Sequence, residues 1–269
     1  MTTPFQNFNL DLDNIAHLLP LIAPDANTMP DIARNLGMGP RKVRDIFEWC
    51  NHLDLIAQGT KKTTHRLTSL GQRLAAHGNW TNRLPILDIL YASLIKRHKV
   101  INRIVNELAY TASLHTSCQF SSQQYRDFLV SIAPNLDAKS SVILDRGSKF
   151  LNALAQPSGL GKLKMFSWTE DRSYVRIQRR IPAWQSAAYI LYDSWPENTS
   201  RMRIKEVVSG QTGLGRIFFL TQPQVMALLS KLEQERAIAL EVVADLSQIG
   251  PNPSMKAEDF LEMLIHDRS

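Results

Sequence analysis

The sequence predicts a mainly α-helical fold with small β-hairpins, arranged as tandem winged-helix-like modules. Three observations support this prediction. Residues 29–48 have the pattern of two short helices joined by a tight turn, and a polar stretch at 58–64 follows them between short apolar segments. The same order, helices and then a hairpin, recurs between residues 84 and 180.

The first helical pair has suitable residues where its geometry is most demanding. Ala33 provides the small side chain that two crossing helices require, and Gly37 tolerates the positive φ of the turn. Pro40 suits the first turn of the second helix. Val43 and Ile46 are three residues apart and therefore share the buried face of that helix.

Basic side chains occupy the other side of the second helix, at Arg41, Lys42 and Arg44. A helix presented in this way can read the major groove of DNA, so we predict that these three residues approach the bases. The alternative is a small helical module that packs only against protein, because winged helices also serve as docking domains.

A basic hairpin is predicted directly after this helical pair. Residues 53–56 end the helix and begin a short strand, and residues 65–68 form the return strand. The Leu-Thr-Ser-Leu-Gly string that follows is typical of the segment that leaves the wing in bacterial winged-helix regulators. We expect Lys61, Lys62 and Arg66 on this wing to contact DNA phosphates.

The middle of the chain repeats this order of elements. The pattern predicts three helices and then two strands, over residues 84–113, 123–132, 138–154, 163–168 and 174–180. Ser121 or Ser122 caps the second helix, and residues 170–172 turn between the strands. Five basic residues of this hairpin are predicted to contact DNA: Lys162, Lys164, Arg172, Arg176 and Arg179. The alternative is a charged β-ribbon whose side chains are merely exposed to solvent.

Basic charge is concentrated in the middle of the chain. Residues 28–80 contain 8 basic and 4 acidic residues, and residues 81–180 contain 15 and 7. Residues 181–269 contain 8 basic and 11 acidic residues. A basic region of this kind attracts phosphate backbones, although basic residues also simply solvate a surface. From length and composition we predict three modules, at residues 1–80, 81–181 and 182–269.

The last module is predicted to be an acidic α+β unit with the outline of a third winged-helix-like module. Its predicted elements cover residues 183–195, 203–208, 217–220, 221–235, 238–243 and 255–266. Tyr189, Tyr192 and Trp195 fall close to one helical face, where they form either a partner surface or part of the module's own core. We predict that residues 182–269 contact a protein partner or a second copy of the chain.

The sequence argues against several other classes of protein. It has no run of 18 apolar residues and no secretory signal pattern, so we predict no membrane association. Cys50 and Cys118 are the only cysteines, which suits the reducing cytoplasm. The seven histidines form no close pair. We therefore predict a cytoplasmic protein with no metal, no cofactor and no catalytic residues.

A glycine-rich loop at 210–215 has some likeness to a phosphate-binding loop. Such a loop must follow a strand and open a helix. Residues 217–220 are instead predicted to form a strand directly after the glycines. We therefore reject nucleotide binding at this loop.

Motifs in the C-terminal third carry a family resemblance. They are Tyr-Ile-Leu-Tyr-Asp at 189–193, the glycine-flanked segment 209–220 that ends in Arg-Ile-Phe-Phe-Leu, and the segment 237–249. Over about residues 80–250 the chain resembles family four-thousand-seven of the domains of unknown function. Its bacterial members are often encoded beside DNA-phosphorothioation and other phage-defence genes. The resemblance implies a DNA-associated role in modification or defence. The family has no established catalytic residues, so none are carried over to this chain.

These observations predict a non-catalytic protein that binds duplex DNA as a component or regulator of a bacterial DNA-modification or phage-defence system. The alternative is an adaptor subunit whose winged helices dock onto other proteins of such a complex. A nuclease or other enzyme is a third class, and no motif in the sequence supports it.

Overall fold

The protein folds into two compact units, Met1–Ile177 and Gln178–Ser269. The computed structural model describes residues 9–22, 28–59, 64–132, 141–196, 199–241 and 247–266, and of 141–146 only the backbone. The described part is mainly helical with small antiparallel sheets, as the sequence predicts. The first predicted module, 1–80, lies in the first unit, together with residues 81–177 of the second predicted module, 81–181.

The first unit contains nine α-helices and five strands in the described ranges. Its helices are α1 Leu12–Leu18, α2 Met29–Leu36, α3 Pro40–His52, α4 Ser69–Ala76, α5 Leu84–Arg97, α6 Lys99–Arg103, α7 Tyr110–Ser113, α8 Ser122–Ile132 and α9 Ser141–Ala155. Its strands are β1 Ile56–Gln58, β2 His65–Leu67, β3 Gln119–Ser121, β4 Phe166–Trp168 and β5 Tyr174–Ile177. Short 3-10 turns occur at Leu19–Leu21, Trp80–Asn82 and Leu160–Leu163.

The predicted geometry of the first helical pair is confirmed. Gly37 ends α2 in the left-handed conformation, with φ of 61°, and Pro40 is the first residue of α3. Ala33, Val43 and Ile46 are buried, as expected for positions at which the helices pack. The apolar face of α3 therefore points into the unit, and Arg41 and Arg44 are exposed on its other side.

The strands after α3 form the predicted antiparallel pair. Ile56 of β1 lies opposite Leu67 of β2. The next residue, Thr68, caps α4, because its hydroxyl oxygen accepts a hydrogen bond from the amide of Gly71 at 3.0 Å. Lys61 and Lys62, which are predicted to contact phosphates, lie outside the described residues.

The prediction of a single long helix over residues 84–113 is wrong, because the helix is interrupted at His98. α5 ends at Arg97, and His98 has an extended backbone with φ −95° and ψ 101°. Its Nδ1 accepts a hydrogen bond from the amide of Ile101 at 3.4 Å and caps α6. A π-helical turn at Ile104–Ala109 then leads into α7. Apolar residues on both sides of the break are buried, so their periodicity does not reveal it.

A three-stranded sheet takes the place of the predicted two-stranded hairpin in the middle of the chain. β5 lies between β3 and β4, with Val175 opposite both Phe120 and Trp168. β3 is missing from the sequence prediction because its pairing with β5, which is distant in sequence, leaves no local pattern at residues 119–121. The predicted strands are also too long: β4 begins at Phe166, after the 3-10 turn, and β5 ends at Ile177.

The second unit has a similar small sheet. Its helices are α10 Trp184–Asp193, α11 Ile204–Ser209, α12 Leu214–Ile217, α13 Gln222–Gln234 and α14 Ala257–His266. Its strands are β6 Met202–Arg203, β7 Ile238–Glu241 and β8 Gln248–Pro251. The last of these strands, β8, lies between the other two.

The strand predicted for residues 217–220 is wrong. Ile217 ends α12, and a turn through Phe219, whose φ is 56°, leads to α13, which Thr221 caps together with Gln224. All four residues of the predicted strand are buried. The apolar run therefore reflects burial, which a short sequence cannot distinguish from an extended conformation.

The aromatic residues of α10 contribute to the core of the second unit. Tyr189 is buried, and the Tyr192 ring packs against Phe260 of α14 with the ring centroids 5.0 Å apart. The Tyr192 hydroxyl donates to the carbonyl of Ala237 at 2.6 Å and accepts from the amide of Asn252 at 2.8 Å. Of the two interpretations of this aromatic face, the structure supports the internal core for Tyr189 and Tyr192.

Candidate nucleic-acid interface

The outward side of α3 presents the first group of predicted DNA-binding residues. Arg41 and Arg44 are exposed, whereas Lys42 is half-buried. Val43 and Phe47 on the other side are buried and fix the orientation of the helix. Arg66 is exposed in the middle of β2. We call the exposed side of α3 together with β1 and β2 the α3 surface.

A cavity of about 410 Å³ lies within the α3 surface. Residues from α3 and from both strands line it, among them Arg44, Glu48, Asn51, Gln58 and His65. The His65 ring packs against Phe47, with the ring centroids 4.7 Å apart, and this contact connects β2 to α3. The surface is therefore a concave junction of helix and hairpin.

Partial burial shifts the pKa values of two ionisable side chains in this cavity, His65 and Glu48. Burial lowers the pKa of His65, so its imidazole is neutral near pH 7. Burial and the neighbouring Asp45 raise the pKa of Glu48. An arginine beside a neutral imidazole and two side-chain amides offers several hydrogen-bond donors and acceptors of the kind that meet base edges.

The tip of the β4–β5 hairpin is held by Asp171. Its carboxylate accepts hydrogen bonds from the Thr169 hydroxyl at 2.6 Å, from the Ser173 amide at 3.1 Å and from the Ser173 hydroxyl. These bonds lower the pKa of Asp171 to about 2. Arg172, with φ of 56°, therefore projects from an ordered turn.

Of the five basic residues predicted to contact DNA from the second hairpin, four are exposed and one forms hydrogen bonds within the protein. The exposed residues are Lys164, Arg172, Arg176 and Arg179. Arg176 alternates with the buried Val175 and Ile177 on β5 and so lies on the outer face of the sheet. Lys162 instead donates hydrogen bonds to the carbonyl of Thr81 at 3.0 Å and to Asn82 Oδ1 at 2.8 Å. We call β4, β5 and their connecting turn the hairpin surface.

The structure also reveals polar and aromatic residues that the sequence analysis does not identify. A cavity of about 470 Å³ lies between α8, α9 and the hairpin, and we call it the hairpin cleft. The side chains that line it include Ser122, Arg126, Ser148, Asn152, Trp168 and Arg172. Only Arg172 among them is a predicted site residue, because the others come from separate elements that only the fold brings together.

Other chemistry is not apparent in the described ranges. No group of three or more His, Cys, Asp or Glu residues is placed there to hold a metal ion. Within those ranges, no helix has the length and apolar character that a membrane crossing needs. The Cys50 thiol is buried, and burial raises its pKa.

The glycine-rich loop at 210–215 needs a different explanation from the one that the sequence suggests. A short helix, α12, begins within the loop in place of the predicted strand, so the original reason for rejecting a phosphate-binding loop is wrong. The loop follows α11, however, and a phosphate-binding loop of this type follows a strand. The glycine-rich loop therefore lacks the preceding strand that a phosphate-binding loop requires.

Comparison with known proteins supports the fold alone. No protein-family model matches the sequence, and no curated protein matches it. Two crystal structures of SspB are similar in fold. A magnesium ion-bound SspB superposes with a TM-score of 0.71 at 14% sequence identity, over 97% of this chain and 88% of that one. A second SspB structure gives a TM-score of 0.68 at 13% identity, with the same coverage.

Proposed function

We propose that this chain is a DNA-binding protein that uses the α3 surface and the hairpin surface to contact duplex DNA. The observation that carries the proposal is the α3 surface. It combines two exposed arginines on a helix, Arg41 and Arg44, with a two-stranded hairpin beside that helix. Helices and hairpins in this arrangement read a groove and contact phosphates, respectively.

The order of elements supports tandem winged-helix-like modules. In the middle of the chain, a helix is followed by β3, two helices, and then β4 and β5, and the last strand lies in the middle of the sheet. In the second unit, α10 is followed by β6, three helices, and then β7 and β8, again with the last strand in the middle. Two modules with the same strand order are the expected result of repetition.

A role in a bacterial DNA-modification or phage-defence system extends this proposal. The resemblance of residues 80–250 to family four-thousand-seven of the domains of unknown function supports such a role. The alternative remains an adaptor that docks these modules onto other subunits. Proteins purified with a tagged copy of the chain, with and without nuclease treatment, would distinguish contacts made through DNA from direct protein contacts.

A metal-dependent reaction on DNA is the second candidate function. The observation that favours it is that one of the two SspB structures of similar fold is magnesium ion-bound. Incubation of supercoiled plasmid with the protein, in Mg²⁺ or in EDTA, tests it directly. Nicking that requires Mg²⁺ would contradict our proposal that the protein acts without catalysis, whereas retention of intact plasmid supports that proposal.

The affinity for duplex DNA is expected to fall steeply as salt increases. Each phosphate that a Lys or Arg neutralises releases counterions, so the logarithm of affinity falls linearly with the logarithm of salt concentration. Fluorescence anisotropy of a labelled duplex measures this slope. Arg44→Ala and Arg66→Ala should each weaken binding, whereas Arg203→Ala, an exposed arginine of the second unit, should not. Absence of binding at low salt would favour the adaptor.

Deletion of residues 178–269 is expected to leave a fragment that still binds DNA. The division of the chain into Met1–Ile177 and Gln178–Ser269 is the reason for this expectation, since the α3 surface and the hairpin surface lie in the first unit, and Arg179 is the one predicted DNA contact that the deletion removes. Circular dichroism measures the folding of the fragment, anisotropy its affinity for DNA, and light scattering its self-association. A folded fragment without DNA affinity would show that the second unit takes part in binding.

A further inference from the structure

We propose that the hairpin cleft binds one unstacked nucleotide, a base together with its phosphate. This inference rests on the proposed function and specifies what the hairpin surface binds. A nucleotide extruded from a DNA strand and a free mononucleotide are two sources of this ligand, and both present the same base and phosphate. The shape of the cleft, its charge and its aromatic wall all favour such a ligand.

The cleft is formed by elements that are held firmly against one another. The amide of Ser122, at the start of α8, donates to the carbonyl of Ser173 at 2.8 Å and so joins this helix to the hairpin turn. Tyr125, a buried residue of the cleft, donates its hydroxyl hydrogen to the carbonyl of Gly147 on α9 at 2.7 Å. The two helices and the turn therefore keep a fixed concave shape.

The charge of the cleft suits an anion. Arg126 comes from α8 and Arg172 from the hairpin turn, and no carboxylate is among the lining residues of the described ranges. The nearby Asp171 uses its carboxylate to hold the turn. Two arginines with planar guanidinium groups match the oxygens of a phosphate.

The remaining lining residues suit a base. Trp168, which is half-buried, contributes an aromatic wall, and stacking on such side chains is a general way of holding unpaired bases. Ser122 adds a hydroxyl group and Asn152 an amide whose nitrogen donates to Asn9 Oδ1 at 3.3 Å and whose oxygen is an acceptor for a base edge or a sugar. A volume of about 470 Å³ lies within the range of small-molecule sites.

A paired base cannot enter this cleft. Bases in a duplex are stacked on both faces, so one that reaches a tryptophan within a pocket must first leave the helix. Extrusion costs least where a base is unpaired. We therefore expect a duplex with a single-nucleotide bulge to bind more tightly than a fully paired duplex of the same sequence.

The test compares these two duplexes by fluorescence anisotropy with the full-length protein. Arg126 lies outside the hairpin surface, so Arg126→Gln should reduce the preference for the bulged duplex about tenfold, as expected for a lost charge-assisted hydrogen bond, while affinity for the paired duplex changes much less. Arg172 belongs to both sites, so Arg172→Gln should weaken binding of both duplexes, and of the bulged duplex more strongly. Trp168→Leu should abolish the preference, and Trp168→Phe should restore part of it. Arg203→Gln, outside the cleft, is the matched control.

Competition for the bulged duplex with dAMP and with inorganic phosphate shows which part of the nucleotide the cleft recognises. Displacement of the bulged duplex by dAMP, and not by phosphate alone, supports a site for base and phosphate. Equal displacement by phosphate would overturn the inference. So would equal affinity of the wild type for both duplexes, or a bulge preference that all the cleft variants retain. In those cases binding to paired duplex still supports the proposed function, whereas no binding to either duplex contradicts both.

Discussion

Acidification from about pH 6 to about pH 4 is expected to destabilise the first unit by about 1.4 kcal/mol for each pH unit, through His98 alone. The side chain of His98 is buried among Trp49, His52 and Phe150, and the ring centroids of His52 and Phe150 lie 4.4 and 5.0 Å from its own. Burial, together with His52, lowers the pKa of His98 to about 3. The imidazole therefore stays neutral in the folded protein.

The direction of this effect follows from the two pKa values of His98. In the unfolded chain the imidazole takes up a proton near its ordinary pKa of 6.5, whereas in the folded protein it does so only near 3. Between these values the unfolded state binds more protons, so acid favours unfolding. Above the ordinary pKa both states are neutral, and His98 adds no pH dependence. The pKa of His52 is also lowered by burial and by Arg97, so His52 adds to the same slope.

Urea denaturation at a series of pH values measures this slope. His98→Asn keeps a side-chain acceptor for the amide of Ile101 but removes the titrating ring, so we expect lower stability at neutral pH and a shallower slope in acid. His115→Asn, at an exposed position, is the matched control and should leave the slope unchanged. An unchanged slope in His98→Asn would contradict the assignment.

Replacement of Gly71 by alanine is expected to destabilise the first unit by about 2–3 kcal/mol. A Cβ atom at this position would lie 1.9 Å from the carbonyl oxygen of Leu55, well inside van der Waals contact. The same carbonyl accepts from the amide of Thr68 at 3.1 Å, and the Thr68 hydroxyl donates to the carbonyl of Asp54 at 2.5 Å. An added methyl group must push α4 away and weaken these bonds.

Gly78→Ala is the matched control for this substitution. A Cβ atom at Gly78 meets nothing within 4 Å, and the residue is exposed, so we expect its stability to change by less than about 0.5 kcal/mol. Urea denaturation of both variants at neutral pH makes the comparison. Equal stabilities for the two variants would show that α4 can separate from Leu55 without loss of packing.

The contrast between Gly71 and His98 illustrates how far local sequence predicts structure here. Gly71 ends a string that is typical of the segment after a wing, and the structure explains it by the close approach of α4 to Leu55. His98 lies within an apparently continuous helical pattern. The interruption of the helix allows the His98 side chain to pack against α3 and α9. Because both helices are distant in sequence, the local pattern does not predict the interruption.

The candidate surfaces differ in the same way. Arg41 and Arg44 were predictable because the buried Val43 and Ile46 fix which side of α3 faces outward. Lys162 was predicted to contact DNA, but it bonds to Thr81 and Asn82, some 80 positions away along the chain. Arg126 and Trp168 were not identified, since their proximity to Arg172 depends on the packing of the hairpin against α8.

The sequence by itself determined the helical class, the turn at Gly37, and the order of helices before hairpins. Each of these depends on residues within a few positions of one another, where φ preferences, capping and periodicity act. Only the tertiary structure decided the break at His98, the pairing of β3 and β6, and the hairpin cleft. These depend on burial and on hydrogen bonds between distant segments, whose free energy is gained only when the chain has folded.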